Sequence, residues 1–324
     1  MAIATASACR SAVPHAPPEI ALPLDADSRL LVLAPHPDDE SLGAAGLIQR
    51  VKAAGGSVHV IVMTSGDAFP EGVAVATHKR DPQRSDYRHY AETRERETLS
   101  ALARFGLSRA DVRFLGFPDG GLCLIASKYL TAKSRAFESP YTGRRQPPAS
   151  EHVIRGVAYR GEDVRRELER ILLAYHPTIV LMPSSEDDHP DHCATSIFAR
   201  EAIDATRSSD SRVLQYLVHH EGWPKSSAAE SSPLEPPASF PNNAGEWRTL
   251  PLTPEEAALK QRVLVDAYPT QMQVIGKFLT AFARPNELFL DGRGSAAPEC
   301  WCDESHVATE TPPTRYRRRP RARR

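Results

Sequence analysis

A chain of 324 residues with 41% hydrophobic and 25% charged residues has the composition of a folded globular protein, long enough for one large α/β domain or two smaller ones. Its longest apolar runs, Leu30 to Pro35 and Ile179 to Pro183, fall far short of the roughly 20 residues that cross a bilayer, which excludes a helical membrane protein. The net charge of −1 conceals a basic end: seven arginines fall in the last ten residues, and removing them leaves about −8 on the rest.

Residues 1–27 are rich in Ala, Pro and Ser and lack the continuous apolar stretch of a secretory signal, so they are expected to form an extension without fixed structure. Arg29 to Ala34 reads as a fully buried strand, and Leu42 to Ala53 as a helix stopped by Gly55 and Gly56. Val58 to Met63 is a second strand, Tyr87 to Phe105 a long helix ended by Gly106, and Val112 to Leu115 a third strand. The 124–160 stretch reads as a long loop; its cations (Lys128, Lys133, Arg135, Arg144, Arg145 and Arg155) would favour an acidic or phosphorylated substrate if it overhung a site. Glu162 to Tyr175 carries Val164, Leu168, Ile171 and Leu172 on one helical face. A strand at Thr178 to Met182, a helix at Cys193 to Ala205 and a strand at Val213 to Val218 follow. After an insertion at 225–247, Pro254 to Tyr268 and Met272 to Phe282 read as helices.

This alternation predicts a Rossmann-like α/β fold, with a mostly parallel sheet, helices on both faces and long loops over the carboxyl edge, spanning residues 28–292. Residues 293–324 are then a flexible Arg-rich tail, a solvated extension rather than a nucleic-acid contact. Five cysteines without a C-x-x-C pair form no disulfide framework, so a reducing, cytoplasmic setting is expected. Cys193 reads as core, and Cys300-Trp301-Cys302 has no partners with which to hold a metal.

The chemistry is concentrated in two short motifs. The first strand runs straight into His36-Pro37-Asp38-Asp39-Glu40, and the strand at Thr178 runs, after Ser184 to Asp188, into His189-Pro190-Asp191-His192. Each lies just past the carboxyl end of a strand, where ligands gather in open α/β sheets. Proline suits the first helical turn, where its missing N–H is not needed, and the residue three positions after the histidine returns to the same side. His and Asp are donors that suit a borderline cation, with zinc first and iron(II) as the alternative. Three donors make a catalytic site with one position left open, and the surplus supplies a base and an acid.

The A-P-H-P-D-D-E run followed by H-P-D-H resembles the LmbE-like (PIG-L) family of N-acetylglucosaminyl deacetylases. Thr64 to Ala68 (TSGDA), the R-E-R-E of Arg94 to Glu97, Phe114 to Leu122 (FLGFPDGGL) and Tyr216 to His219 are also similar, so the likeness runs from about Arg29 to Leu290. It implies that His36, Asp39 and His192 bind the metal, and that Asp38 is the general base. It also implies that His189, held by Asp191, stabilises the oxyanion and protonates the departing amine. The partner it implies is a small N-acylated substrate containing a sugar; oligomeric state stays open.

Substrate-contact candidates are weaker. Arg94 and Glu97 lie one helical turn apart, a spacing that also suits a surface ion pair. Asp119 and Asp67 follow strands toward the same sheet edge, and Tyr216 and His219 sit on or past another strand; a turn aspartate, a buried tyrosine and a satisfied histidine are the structural alternatives. Gly43 and Gly46 mark close helix packing rather than a phosphate loop. An amidase or esterase acting on a non-sugar acyl substrate would use the same metal and base. A closed, non-catalytic metal site would instead fill the open position with a fourth ligand.

Overall fold

Alternate residues of the first strand point to opposite faces, and both faces are buried. In β1 (Arg29–Ala34), Leu30, Val32 and Ala34 join one hydrophobic cluster, while Leu31 and Leu33 join another. That pattern belongs to a sheet covered on both sides, where parallel strands need apolar residues at every position. The computed structural model describes residues 16–148, 154–208, 210–225, 231–240, 246–292 and Cys300. Within them β2 (Ser57–Thr64), β3 (Val112–Phe117), β4 (Ile179–Pro183) and β5 (Arg212–Tyr216) complete a parallel set with β1. β7 (Asn286–Asp291) and β6 (Glu246–Pro251) add an antiparallel edge.

Strand order is β3-β2-β1-β4-β5-β7-β6. The chain moves outward from β1 to β3, then returns to lay β4 on the other flank of β1. This reversal opens a crevice beyond the carboxyl ends of β1 and β4, the place where such sheets bind ligands. One face of the sheet is covered by α2 (Ala45–Ala53), α4 (Arg84–Arg104), α8 (Pro254–Asp266) and α9 (Pro269–Thr280). The other is covered by α5 (Leu122–Ser127), α6 (Gly161–Tyr175) and α7 (Pro190–Ala205).

The expected helix from Leu42 is two pieces. α1 (Asp39–Gly43) breaks from α2 at Ala44, and the glycines account for the packing there. A Cβ on Gly43 would lie 2.4 Å from the Tyr216 ring, and one on Gly46 would lie 2.3 Å from Leu252. The first turn of α2 gives its Gly46 and Leu47 N–H groups to the buried Glu287 carboxylate at 2.8 and 3.1 Å. Lys260 joins that carboxylate at 2.7 Å.

α3 (Pro70–Thr77), α5, β6 and β7 have no counterpart in the sequence reading. β6 is a half-exposed edge strand ending in Pro251, so it lacks the apolar run that marks a central strand. The N-terminal extension is partly ordered: Ile20 donates its N–H to Thr249 at 2.9 Å and is buried, and Pro18 accepts from Thr249. Residues 1–15 of that extension, and the basic tail apart from Cys300, lie outside the described residues.

The reading of the cysteines needs correction. Cys193 is buried on α7, as expected, but it is disulfide-bonded to Cys300, 107 residues away, and Cys123 on α5 is also disulfide-bonded. An odd count without local spacing carries no information on pairing over such a distance. The argument from cysteines to a reducing compartment therefore lapses.

Candidate functional site

His36 follows β1, and α1 starts three residues later, with Asp38 rather than the histidine at its N-cap position and no side-chain cap bond. The chain folds back so that His36 N–H donates to Asp39 Oδ2 at 2.8 Å. Across the crevice the second motif behaves as its sequence predicts: His189 caps α7, Pro190 is at the first turn, and the Asp191 N–H donates to His189 Nδ1 at 3.2 Å. His192 then points back toward β1.

Three donor atoms converge between the two motifs. Asp39 Oδ2 lies 3.2 Å from His36 Nδ1 and 3.1 Å from His192 Nε2, and those two nitrogens are 3.3 Å apart. Bonds of about 2.0 Å at tetrahedral angles place ligand atoms about 3.3 Å from one another. The triangle therefore fits a tetrahedral zinc or iron(II) site with three protein ligands.

The outer nitrogens of both histidines face carboxylates. His36 Nε2 is 3.3 Å from Asp119 Oδ1 and 3.4 Å from Asp191 Oδ2, and His192 Nδ1 is 3.1 Å from Asp187 Oδ2. With the hydrogens on those nitrogens, His36 Nδ1 and His192 Nε2 would keep lone pairs with which an ion could be held. Overlapping donor groups (His36 with His189 and His192; Asp187 with His192 and His219; His36 with Asp119 and Asp191) all share one of these two histidines, which marks them as the centre.

Asp38 is turned the other way, as two adjacent aspartates at a helix start must be. Its Oδ2 meets Arg94 Nη2 at 3.0 Å. Burial pushes its carboxyl up, opposed by the Arg94 guanidinium. Arg94 is buried on α4, and Nη2 also donates to Pro37 O and Gln271 Oε1 while Nη1 donates to Gly66 O. The surface pair with Glu97 does not form. Glu97 is buried and instead accepts the N–H and hydroxyl of Thr270 at 2.9 and 2.8 Å.

Two expectations are corrected. Asp191 does not hold His189: its carboxylate takes the Gly120 and Leu122 N–H groups at 2.7 and 2.9 Å and faces His36. Burial lowers the His189 imidazole, and its Nδ1 is taken up as acceptor by the Asp191 N–H. Tyr216 is not in the crevice; it is a core residue whose hydroxyl donates to Leu33 O at 2.9 Å. Asp119 and His219 do line the site. Burial of Asp119 is outweighed by His36, which holds its carboxyl low. Asp67 accepts the Asp119 N–H at 3.0 Å, and burial with the Asp119 charge pushes it up to about 7.

Asp187 escaped the sequence reading. It is buried and accepts the N–H groups of His189 (3.0 Å), Val218 (2.9 Å) and His219 (3.0 Å), and it contacts the Nδ1 atoms of His192 and His219. Burial alone would raise its carboxyl; the imidazoles of His192 and His219 outweigh that and hold it well below the usual range. Within the acidic run Glu186-Asp187-Asp188, nothing in the sequence marks the middle residue as the one that turns inward.

His36 and Asp39 of the triad line a cavity of about 170 Å³, with His192 behind them. Its lining is polar at Asp38, Arg94, Asp119, His189, His219 and Gln271, and apolar at Leu42, Ala68, Phe69, Ile275 and Phe278.

Residues 31–203 match the family model described as PIG-L, GlcNAc-PI de-N-acetylase. The 1D-myo-inositol 2-acetamido-2-deoxy-alpha-D-glucopyranoside deacetylase 1 of Saccharopolyspora erythraea is 27% identical over 284 residues, covering 85% of this chain and 84% of that protein. Its namesake from Actinosynnema mirum is 27% identical over 282 residues, covering 85% and 86%. Among solved structures, the A40926 pseudoaglycone deacetylase Dbv21 shares the fold with a TM-score of 0.52 and 20% identity, over 84% of this chain and all of that one. The N,N'-diacetylchitobiose deacetylase from Pyrococcus horikoshii does so with a TM-score of 0.50 and 17% identity, covering 82% and 84%.

Proposed function

The chain belongs to the PIG-L family of de-N-acetylases, and on that premise we propose that it hydrolyses the acetamido group of an N-acetylated amino sugar at a divalent ion held by His36, Asp39 and His192. Residues 28–292 would form the catalytic unit. One observation carries this reading: a donor triangle of the right size borders a cavity that also holds an unligated carboxylate, Asp38. A closed structural site would have no such space and no spare base.

A bound divalent ion would lower the pKa of water toward ~7 and polarise the amide carbonyl. Asp38 takes the proton of the attacking water; burial, which favours its protonated form, suits it to hold that proton and pass it to the departing amine. Arg94 fixes the Asp38 carboxylate through the 3.0 Å contact. His189 acts as a neutral donor. With Nδ1 occupied by the Asp191 N–H, its hydrogen sits on Nε2, available to the carbonyl oxygen as that atom gains charge. Proton delivery to the amine thus passes from His189, where the family resemblance put it, to Asp38. Asp119, Asp191 and Asp187 orient the two ligand histidines.

The test is acetate release from N-acetylglucosamine derivatives, set against simple N-acyl amides and acyl esters, with metal analysis of the purified protein. Turnover of the amino sugars by protein carrying about one zinc or iron per chain is expected. Faster turnover of the plain amides or esters would overturn the substrate class, and full activity after metal removal would overturn the ion. No helix of the described residues is long and apolar enough to cross a membrane.

A further inference from the structure

The cavity lining is part polar and part apolar, and the apolar part bears on which amino sugar enters. Among the described residues that line it, Arg94 alone carries a permanent positive charge, and both of its Nη atoms are engaged by Asp38, Gln271 and the Pro37 and Gly66 carbonyls. The Gln271 amide is likewise used, since its nitrogen donates to Pro37 O and its oxygen accepts from Arg94. None of the cations of the 124–160 loop reaches the lining. Among the described residues, the lining therefore offers no free cation to an acidic or phosphorylated group.

The apolar part of the lining is carried largely by α9. Gln271, Ile275 and Phe278 follow one another at helical spacing along α9, whose start is pinned to α4 by the Thr270–Glu97 hydrogen bonds. The backbone leaves helical geometry at Ile275 (φ −117°, ψ 22°), just before Gly276. Phe278 stacks on His219 with ring centroids 5.6 Å apart, so the wall begins where the polar cluster ends. Phe69, the residue preceding α3, completes it. A sugar hydroxyl pressed on this surface would give up water without gaining a partner.

We infer that the substrate carries an apolar alkyl or aryl group beside its acetamido-sugar centre, seated on Phe69, Ile275 and Phe278, in place of a polyol. The inference rests on the deacetylase reading above. The same chemistry has two sources, an apolar aglycone or an extended N-acyl chain. Four compounds separate them: N-acetylglucosamine, its myo-inositol glycoside, its phenyl glycoside, and N-octanoylglucosamine.

The experiment measures kcat/KM for all four with the intact, metal-loaded protein and with Ile275→Asn and Phe278→Asn. The phenyl glycoside or the octanoyl compound should exceed the inositol glycoside at least tenfold, and the preference should shrink to about twofold in the variants. Which of the two is favoured identifies the source. Each preference is a ratio within one preparation, so it is insensitive to partial misfolding of a variant. Equal or better turnover of the inositol glycoside, or a preference that survives both substitutions, overturns the inference while leaving the deacetylase reading intact. No hydrolysis of any of the four overturns both.

Discussion

Asp187→Asn is the most informative single change, because the structure says which of its contacts an amide can keep. The carboxylate uses Oδ2 for the N–H groups of Val218 and His219 and for His192 Nδ1, and Oδ1 for the His189 N–H and His219 Nδ1. Asparagine retains one acceptor oxygen. Placed at the Oδ2 position, it keeps three donors and turns its NH2 toward the His189 N–H, leaving that buried donor unmet at about 1–3 kcal/mol. The negative charge behind His192 is lost as well, and losing such an outer carboxylate costs about 10–100-fold in metal affinity. At about 1.4 kcal/mol per tenfold, that is about 1.4–2.8 kcal/mol of binding.

The assay is zinc competition against a chromophoric chelator, with a thermal melt of the metal-free protein alongside. Affinity should fall by about 10–100-fold and the metal-free protein should melt earlier. The control is Asp188→Asn. That side chain is half-exposed and accepts only the Glu221 N–H among its short contacts, so affinity should stay within about threefold of the parent. If Asp187→Asn melted normally and bound zinc as tightly as that control, Asp187 would not be a support of the metal ligand.

Asp38→Asn should retain metal and lose about 10²–10⁴ in kcat, whereas His192→Ala should lose the metal itself, as read by elemental analysis. Retention of zinc in the second variant would refute the ligand triangle. Lys260→Met strips the partner from Glu287, a pair whose side chains are each 2% exposed, and should destabilise the fold by about 3–5 kcal/mol in denaturant titration. A loss under 1 kcal/mol would mean that the Gly46 and Leu47 N–H groups suffice for that carboxylate. Proteolysis without reductant should release a Cys193 peptide cross-linked to Cys300, and the cross-link should vanish on reduction. Free alkylation of Cys193 under native, non-reducing conditions would contradict the disulfide.

Local pattern was enough to find the buried strands of the parallel sheet, the longer helices between them, and the pairing of His36 with Asp39 and of His189 with His192 at the strand ends. Those signals are short in range: an apolar run, a 3.6-residue stripe, a proline in the first turn, and a tetrad too specific to be a chance cap. What only the tertiary structure decided concerns groups that meet across long stretches of chain. Arg94 meets Asp38 56 positions away and Gln271 177 positions away, and Asp191 reaches past its neighbour His189 to Gly120 and His36. Asp187 was indistinguishable from the two acids beside it, Tyr216 from a site tyrosine, and Cys193 from a plain core residue. Each was settled by burial and by the partner that burial demands, because a polar group taken out of water must find its hydrogen bonds wherever the fold brings them. The strand reversal beside β1 places those partners together, and no window of sequence contains it.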